Sequence, residues 1–227
     1  MRSLLQVRWL VTPLKLPRPW LPCARCNARR PFVCSGKFRV NAQKKRLDAW
    51  LVYRCAHCEQ SWNFPVLERC PVNAIEPALL RALTENDATL ARRHAFDLVR
   101  LARYCAEVES FADLAVERQR ITGDTDNPAV AEIAIRLPYA CGLRLDRFLA
   151  GELGLSRSRL MQLAETGGLV LLPATRRALS QEVRDGQTIV VDLWRAFAAE
   201  APSMAARIAG EDSCDKVNPA CIIDRSD

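Results

Sequence analysis

Alternating side-chain character marks the first part of the chain as extended. Two sets of residues interleave over positions 47–54: Leu47, Ala49, Leu51 and Tyr53 against Asp48, Trp50, Val52 and Arg54. A period of two predicts a strand. Residues 32–53 therefore form two extended stretches around the polar centre 41–46, which predicts a β-hairpin. Val7, Trp9 and Val11 also alternate, and they predict a further strand packed on this hairpin.

The middle of the chain has the periodicity of helices. Apolar positions recur three and four residues apart in two runs, Leu79, Leu80 and Leu83, then Leu90, Ala91, His94, Ala95, Leu98 and Leu101. Asn86 or Asp87 can cap the second run, so we expect two helices that close over the hairpin or link it to the C-terminal part of the chain. His94 lies on the apolar face, where a histidine is more often a partly buried packing residue than a metal ligand or a catalytic base. Turn-forming residues over 121–128 predict a loop and a domain boundary.

Two short helices and a small sheet are predicted on the C-terminal side. Residues 131–137 alternate as a strand, and Leu145, Phe148 and Leu149 share a helix face that Gly154 can end. Ser156 can cap a second helix, and Gly167 or Gly168 can stop it. Further strands are expected at 169–172 and 187–193, with a turn at residues 185–186 before the last one.

Four of the ten cysteines lie in two Cys-x-x-Cys pairs, Cys23 with Cys26 and Cys55 with Cys58. Twenty-eight residues separate the pairs, and neither pair opens a helical pattern as a redox motif would. Four thiolates are the ligands of a tetrahedral structural zinc site, and they leave no open position for catalysis. The sequence therefore predicts one structural Zn²⁺ and a zinc ribbon. Cys34 and Cys70, outside the pairs, are expected to be buried thiols.

Positive charge is concentrated in the same segment. Residues 1–70 hold fourteen Lys/Arg against three Asp/Glu, whereas the whole chain has a net charge of +7. Such a patch is expected to face a polyanion, because each cation that neutralises a phosphate releases a counterion; the alternative is a solvated basic surface. The candidate cations of the hairpin are Lys37, Arg39, Lys44, Lys45 and Arg46. Phe38, Trp50 and Tyr53 lie between them, as rings that stack on bases or as a small core.

A second cationic group is expected at the C-terminal helices. Arg157 and Arg159 fall in the first turn of the second helix, and Arg144 and Arg147 lie on the first helix. Free backbone N–H groups at a helix start attract phosphate, so this corner is a candidate RNA contact. The alternative is an exposed face whose arginines pair with Asp146 and Glu152.

These residues resemble the ribosomal-protein-S-four-like RNA-binding motif, on the matches Arg144-Leu145-Asp146, Ser156-Arg157-Ser158-Arg159 and Asp185-Gly186. The sequence departs from it at the hairpin turn, residues 172–175, and at Gln187. The resemblance implies RNA binding, and Arg176 and Arg177 would supply the basic positions after the turn.

The N-terminal block resembles the bacterial domain-of-unknown-function family 1062. The shared residues are Cys23 and Cys26, 30–32, 35–45, 50–55 and 62–63. This resemblance extends to Trp194 and implies a bacterial zinc-ribbon protein with no established reaction.

Length and composition complete the expectations. A chain of 227 residues that is 49% apolar, with no long apolar run and no recognisable signal peptide, is expected to be globular, cytoplasmic and free of the membrane. Its two histidines form no pair of nucleophile and base, so no enzyme activity is expected. The predicted order is zinc ribbon with N-terminal strand (1–72), helical and mixed connector (73–128), S-four-like module (129–195) and disordered acidic tail (196–227) with Cys214 and Cys221.

We therefore expect an α+β zinc protein that binds RNA, including ribosomal or other structured RNA, from two basic surfaces. The alternative is a zinc-ribbon adaptor for a protein partner, or a DNA-binding regulator, with a degenerate RNA-binding module.

Overall fold

The computed structural model describes residues 3–111, 113–174 and 177–211, which divide into two compact units. We call them the cysteine unit, Thr12–Leu114 with Tyr139–Gly142, and the mixed-sheet unit, Met1–Val11, Ala115–Pro138 and Leu143–Asp227. Each unit combines helices with one five-stranded sheet, which confirms the predicted α+β class.

The strands are β1 Leu4–Pro13, β2 Arg18–Cys23, β3 Ala28–Gln43, β4 Arg46–Cys55, β5 Ser61–Pro71, β6 Val108–Glu109, β7 Leu114–Thr122, β8 Val130–Arg136, β9 Leu169–Leu172 and β10 Thr188–Asp192. The helices are α1 Pro77–Thr84, α2 Ala88–Ala95, α3 Leu98–Leu101, α4 Leu145–Leu153, α5 Arg157–Glu165, α6 Leu193–Phe197 and α7 Ala201–Ala209.

The sheet of the cysteine unit has the order β5-β4-β3-β2-β6. Strands β3 and β4 form the predicted hairpin, paired antiparallel from Phe32 opposite Cys55 to Gln43 opposite Arg46. Lys44 and Lys45 make a two-residue turn and have φ angles of +48° and +64°. Positive φ at both central residues defines the type I′ turn, whose twist matches that of the flanking strands.

One face of this sheet carries the core of the unit. The side chains of β4 that face the core, Leu47, Ala49, Leu51 and Tyr53, are at most 3% exposed. Tyr53 packs against Phe64 with ring centroids 6.2 Å apart. The helices add Leu83, Ala91, Ala95 and Leu101 to the same cluster, which confirms that they close over the hairpin. Burying each large apolar side chain stabilises the fold by about 1.5–3 kcal/mol.

Aspartate side chains cap the N-termini of α2 and α3 in this unit. Asp87 Oδ1 accepts a hydrogen bond from Leu90 N at 2.7 Å, which confirms one of the two predicted caps. Asp97 caps the short α3 in the same way, so the second predicted helix is in fact two. His94 is half-buried with its ring against Phe38, as expected. Burial, and then the nearby Arg100 and Arg93, lower the pKa of His94.

The mixed-sheet unit has the strand order β7-β1-β8-β10-β9, with β1 parallel to β8 and β10 antiparallel to both β8 and β9. The expectation that the first strand packs on the hairpin is therefore wrong. Leu4, near the start of the chain, pairs with Val130. Alternation showed that Val7 and Trp9 face a core, but a period of two does not identify which sheet a strand joins.

Helices α4 and α5 confirm the predicted pair. Gly154 ends α4 at a φ of +66°, and Ser156 Oγ caps α5 by accepting from Arg159 N at 3.1 Å. Trp9 lies in the core of this unit: its indole N–H donates to Ile208 O at 2.9 Å, and its ring meets Phe148 edge-on. The last strands and the turn at Gly186 agree with the sequence prediction to within one residue.

Strand β7 lies in the segment that we assigned to the helical and mixed connector, and its half-exposed and exposed residues give no clear alternation that would reveal it in the sequence. One other prediction in this unit was wrong. The tail predicted to be disordered from residue 196 contains α7, in which Met204, Ala205 and Ile208 are buried. Residues 212–227, including Cys214 and Cys221, lie outside the described part of the chain.

Candidate metal centre and nucleic-acid interface

The two Cys-x-x-Cys pairs meet at one end of the hairpin sheet. The sulfur atoms of Cys23, Cys26, Cys55 and Cys58 all lie within 4.8 Å of one another. Cys23 Sγ is 3.4 Å from Cys58 Sγ, and Cys26 Sγ is 3.9 Å from Cys55 Sγ. The first cysteine of each pair is buried and the second is half-buried. The four cysteines could therefore bind one metal ion.

The backbone has a similar conformation at the two Cys-x-x-Cys pairs. Each first cysteine ends a strand, Cys23 on β2 and Cys55 on β4. Each second cysteine is followed by a residue in the left-handed region, Asn27 at +49° and Glu59 at +62°. This conformation reverses the chain after two intervening residues, so that both sulfurs of a pair point to the same place. Glu59 N donates to Cys55 O at 3.0 Å and closes the second turn.

The pKa values of Cys55 and Cys26 move in opposite directions from the ordinary value of a thiol. Burial acts to raise the pKa of Cys55, but backbone N–H donors at Cys58 and His57 outweigh it and lower the value to about 7. The pKa of Cys26 rises to about 12, chiefly through its hydrogen bond with Cys58 and then through burial. The N–H groups near Cys55 favour a thiolate, which is the form that binds metals.

Asp146 organises the predicted cationic corner in the mixed-sheet unit. It is the one fully buried charged residue among those described, at 4% exposure. Its carboxylate accepts from Arg144 Nη2 at 2.8 Å, from Arg157 Nη2 at 2.6 Å and from Arg147 N at 2.8 Å. Burial raises the pKa of Asp146, but the Arg157 and Arg144 donors outweigh burial and lower it. The side chains of Arg144 and Arg157 remain about half exposed.

The other predicted arginines lie apart from this pair. Arg159 donates to Gln162 Oε1 and to Ala196 O, so its guanidinium is held on the side of α5 next to α6. The exposed Arg147 joins the corner only through its backbone N–H. Arg177 lines an apolar groove of about 370 Å³ with Met161 and Val170. Arg176 lies outside the described residues.

The hairpin cations are all exposed: Lys37, Arg39, Lys44, Lys45 and Arg46. Lys44 and Lys45 form the turn, and Arg46 Nη1 donates to Arg69 O at 3.1 Å. Of the three interleaved rings, Phe38 and Tyr53 pack towards the core, and Trp50 lies on the opposite face of the sheet.

Several relevant residues were missed from the sequence. Arg54 lies on the same face as Trp50, as the strand period predicted, but it was not among the candidate cations of the hairpin. Cys105 and Cys141 are further buried thiols. Cys34 and Cys70, expected to be buried, are only half-buried; burial still raises the pKa of Cys34.

The fold and the site define a two-unit α+β protein with a four-cysteine cluster that could bind a metal ion. The family model of a protein of unknown function, DUF1062, matches residues 40–174. That match covers more than half of the 227-residue chain, so the protein belongs to this family. No curated protein and no solved structure matches the chain.

The family match extends from the hairpin to the segment after β9, and therefore includes residues of both units. Cys55, Cys58, Asp146 and Arg157 lie inside it. In the described part of the chain, none of the helices is long and apolar enough to span a bilayer.

Proposed function

We propose that this protein is a zinc-ribbon protein that binds RNA through its mixed-sheet unit and has no catalytic step of its own. The observation that carries the RNA assignment is the buried Asp146, which holds the guanidinium groups of Arg144 and Arg157 together at the start of α5. The zinc assignment rests on the four sulfur atoms.

The donor set fits zinc. Four sulfurs about 2.3 Å from a tetrahedral Zn²⁺ would lie about 3.8 Å apart, and the two measured pairs, at 3.4 and 3.9 Å, bracket that separation. Thiolates select zinc or an iron–sulfur centre over hard cations such as Mg²⁺. A closed four-sulfur site supplies folding energy and leaves no position for a reactive water. A β-hairpin that joins two such turns supports the zinc-ribbon assignment.

The arrangement around Asp146 suits a phosphate. Two arginines that share one buried carboxylate keep a net positive charge, and their orientation is set before a ligand arrives. Preorganised guanidinium groups lose less entropy when they bind a phosphate oxygen pair. The start of α5 adds backbone N–H groups, and the helix dipole favours an anion there.

The order of elements is also consistent with the S-four-like resemblance. The Arg144-Leu145-Asp146 segment begins α4, Ser156 caps α5, and Asp185-Gly186 precedes the last strand. Leu145 is fully buried, whereas Arg144 is exposed beside it, so the motif combines a core contact with a surface cation.

A second candidate function is docking of a protein partner, and the groove beside β9 favours it. Met161, Val170 and Leu172 are 43–46% exposed, and β9 is an edge strand without a charged residue. Exposed apolar side chains at an unprotected edge are typical of interaction sites.

Charge reversal tests the RNA proposal. We expect Arg144→Glu with Arg157→Glu to weaken binding to a hairpin RNA at least tenfold and to reduce the slope of log Kd against log salt by about 1–2, because one or two phosphate contacts are lost. The matched control is Arg184→Glu, which reverses another exposed arginine of the same unit and should bind like the wild type. Equal isotherms for the double variant and the wild type at every salt concentration would contradict the proposal.

A further inference from the structure

The hairpin sheet has a second face, which does not contribute to the core. Strand β4 directs Leu51 and Tyr53 inward, so Trp50, Val52 and Arg54 lie on the opposite side. We call this the outer face.

The pairing of β4 with β3 and with β5 extends the outer face across three strands. Trp50 lies directly opposite Arg39 on β3 and Pro65 on β5. Directly opposed residues of antiparallel strands share a face, with Cβ atoms about 4.5–5.5 Å apart. The side chain of Arg39 is therefore a neighbour of the Trp50 indole on the outer face.

Trp50 lies outside the aromatic cluster of the cysteine unit. Tyr53, Trp62, Phe64 and Tyr104 form one aromatic cluster with neighbouring centroids 5.4–6.2 Å apart. Within the described residues, the Trp50 ring makes no such contact and its indole N–H donates to no protein acceptor. The Trp50 side chain is partly exposed on the outer face, between Arg39 and Pro65.

Cations surround this ring. Arg39 on β3 and Arg54 on β4 project from the outer face, and the exposed Lys37 lies in the irregular segment of β3 just before Phe38. The hairpin turn extends the same strands with Lys44 and Lys45, and Arg46 comes directly after the turn. On β3 and β4, Asp48 is the only acidic residue, and one of its oxygens accepts from Arg69 N at 2.7 Å.

A partly exposed ring among cations suits a single strand better than a duplex. Bases in a duplex are stacked on one another, so their faces are hidden, whereas an unpaired base can stack on an aromatic ring. Arginine beside the ring adds a guanidinium plane on which a second base or a phosphate can lie. The surrounding lysines neutralise the backbone without reading its sequence.

We propose that the outer face binds a single-stranded segment of nucleic acid, with one base stacked on Trp50 beside Arg39 and its backbone neutralised by Arg54 and the hairpin turn. This inference rests on the proposed function and adds a second, strand-selective contact to it. Single-stranded RNA and DNA share the required chemistry, an accessible base face next to a phosphate.

Substitution of Trp50 tests the stacking contact. We would measure binding of unstructured oligoadenylate RNA, the DNA of the same sequence and a duplex of equal length to the full-length protein. We expect Trp50→Leu to weaken binding of the RNA or DNA single strand about 5- to 100-fold and to leave duplex binding unchanged. Trp50→Phe retains an aromatic ring and should recover part of the affinity. The matched control is Trp194→Leu, which removes a tryptophan that is 48% exposed in the other unit.

The outcomes separate this inference from the proposed function. If Trp50→Leu binds single strands like the wild type while the Arg144 and Arg157 reversal abolishes hairpin RNA binding, the outer face is not a binding site and the proposed function stands. If Trp50→Leu weakens single-strand binding and the double reversal does not affect hairpin RNA, only the outer-face inference survives. Equal loss for Trp50→Leu and Trp194→Leu would also overturn the outer-face inference.

Discussion

Asp146 shows what a single residue contributes to the candidate RNA-binding corner. A buried carboxylate is costly to desolvate unless it is paired, and here two guanidinium groups and one backbone N–H stabilise the charged form. Arg144 precedes α4 and Arg157 begins α5, and this acid joins their side chains. The resulting local charge stays positive, because one carboxylate faces two arginines.

We expect Asp146→Asn to lower the free energy of unfolding by about 1–3 kcal/mol at neutral pH, since the amide cannot replace a charge shared by two half-exposed arginines. Because folding lowers the pKa of Asp146, its stabilisation is present above the ordinary value of 3.8 and is lost as the pH falls through the lower folded-state value. Urea unfolding of both proteins at pH 7 and pH 3 checks this difference. The exposed Glu165→Gln is the control, and a stability gap that widens in acid would contradict the prediction.

The sequence predicted part of this residue-scale picture. The Arg144-Leu145-Asp146 motif and the first turn of α5 identified the residues, and Asp146 was a candidate pairing partner. Which arginines converge was decided by tertiary structure. Arg157 reaches Asp146, whereas Arg159, two residues later, lies on another side of α5 and donates to Ala196 O.

At the scale of elements, the hairpin turn combines an unfavourable backbone conformation with two adjacent positive charges. Lys44 and Lys45 both have positive φ, a conformation that glycine and asparagine adopt at much lower cost. Residues in this region cost about 1–3 kcal/mol each, and such positions cluster at functional sites. Two lysines at this turn are therefore consistent with selection for charge.

We expect the double change Lys44→Asn and Lys45→Gly to raise the free energy of unfolding by about 1–2 kcal/mol, because the new residues suit a type I′ turn. The same change should weaken single-strand binding and reduce the salt slope by up to about 1.4, since two cations are lost. Thermal unfolding and salt-dependent binding measure the two effects. The control, Lys44→Arg with Lys45→Arg, keeps the charge and should bind like the wild type. A double variant that binds with an unchanged salt slope would show that the turn does not contact phosphate.

Strand β1 shows that hydrophobic alternation predicts a strand but not its partner in the sheet. Its alternation predicted a strand, and the strand is present. Its partner β8 comes after the whole of β2 to β7 in the chain, so the pairing is non-local and has no local signal in the sequence. The hairpin of β3 and β4 was predictable because two residues separate its strands.

At the scale of the whole molecule, the metal centre is expected to govern the cysteine unit. The four ligands come from two turns that are separated by the hairpin, so one ion would tie β2 to β4 and close a long loop. Metal binding of this kind contributes directly to folding.

We expect Cys55→Ser to lower the zinc content of the protein below that of the wild type and to unfold the cysteine unit, because three thiolates do not complete a structural site. Metal analysis after gel filtration and circular dichroism on heating measure these changes. Cys70→Ser is the matched control, since this half-buried thiol lies outside the cluster and should leave one zinc per chain. A Cys55→Ser protein with a full zinc content and the melting curve of the wild type would contradict the metal assignment.

The sequence by itself determined the local features: the strand and helix periods, the caps Asp87 and Ser156, the hairpin, and the spacing of the cysteine pairs, because each depends on residues a few positions apart. Only the tertiary structure decided which sheet β1 joins, that α7 buries part of the predicted tail, and that Trp50 and Arg39 share an outer face while Asp146 joins two arginines. The first two features depend on contacts between residues far apart in the chain, where packing rather than local pattern selects the partner. The last two depend on the register of neighbouring strands and on which side chains of neighbouring helices converge.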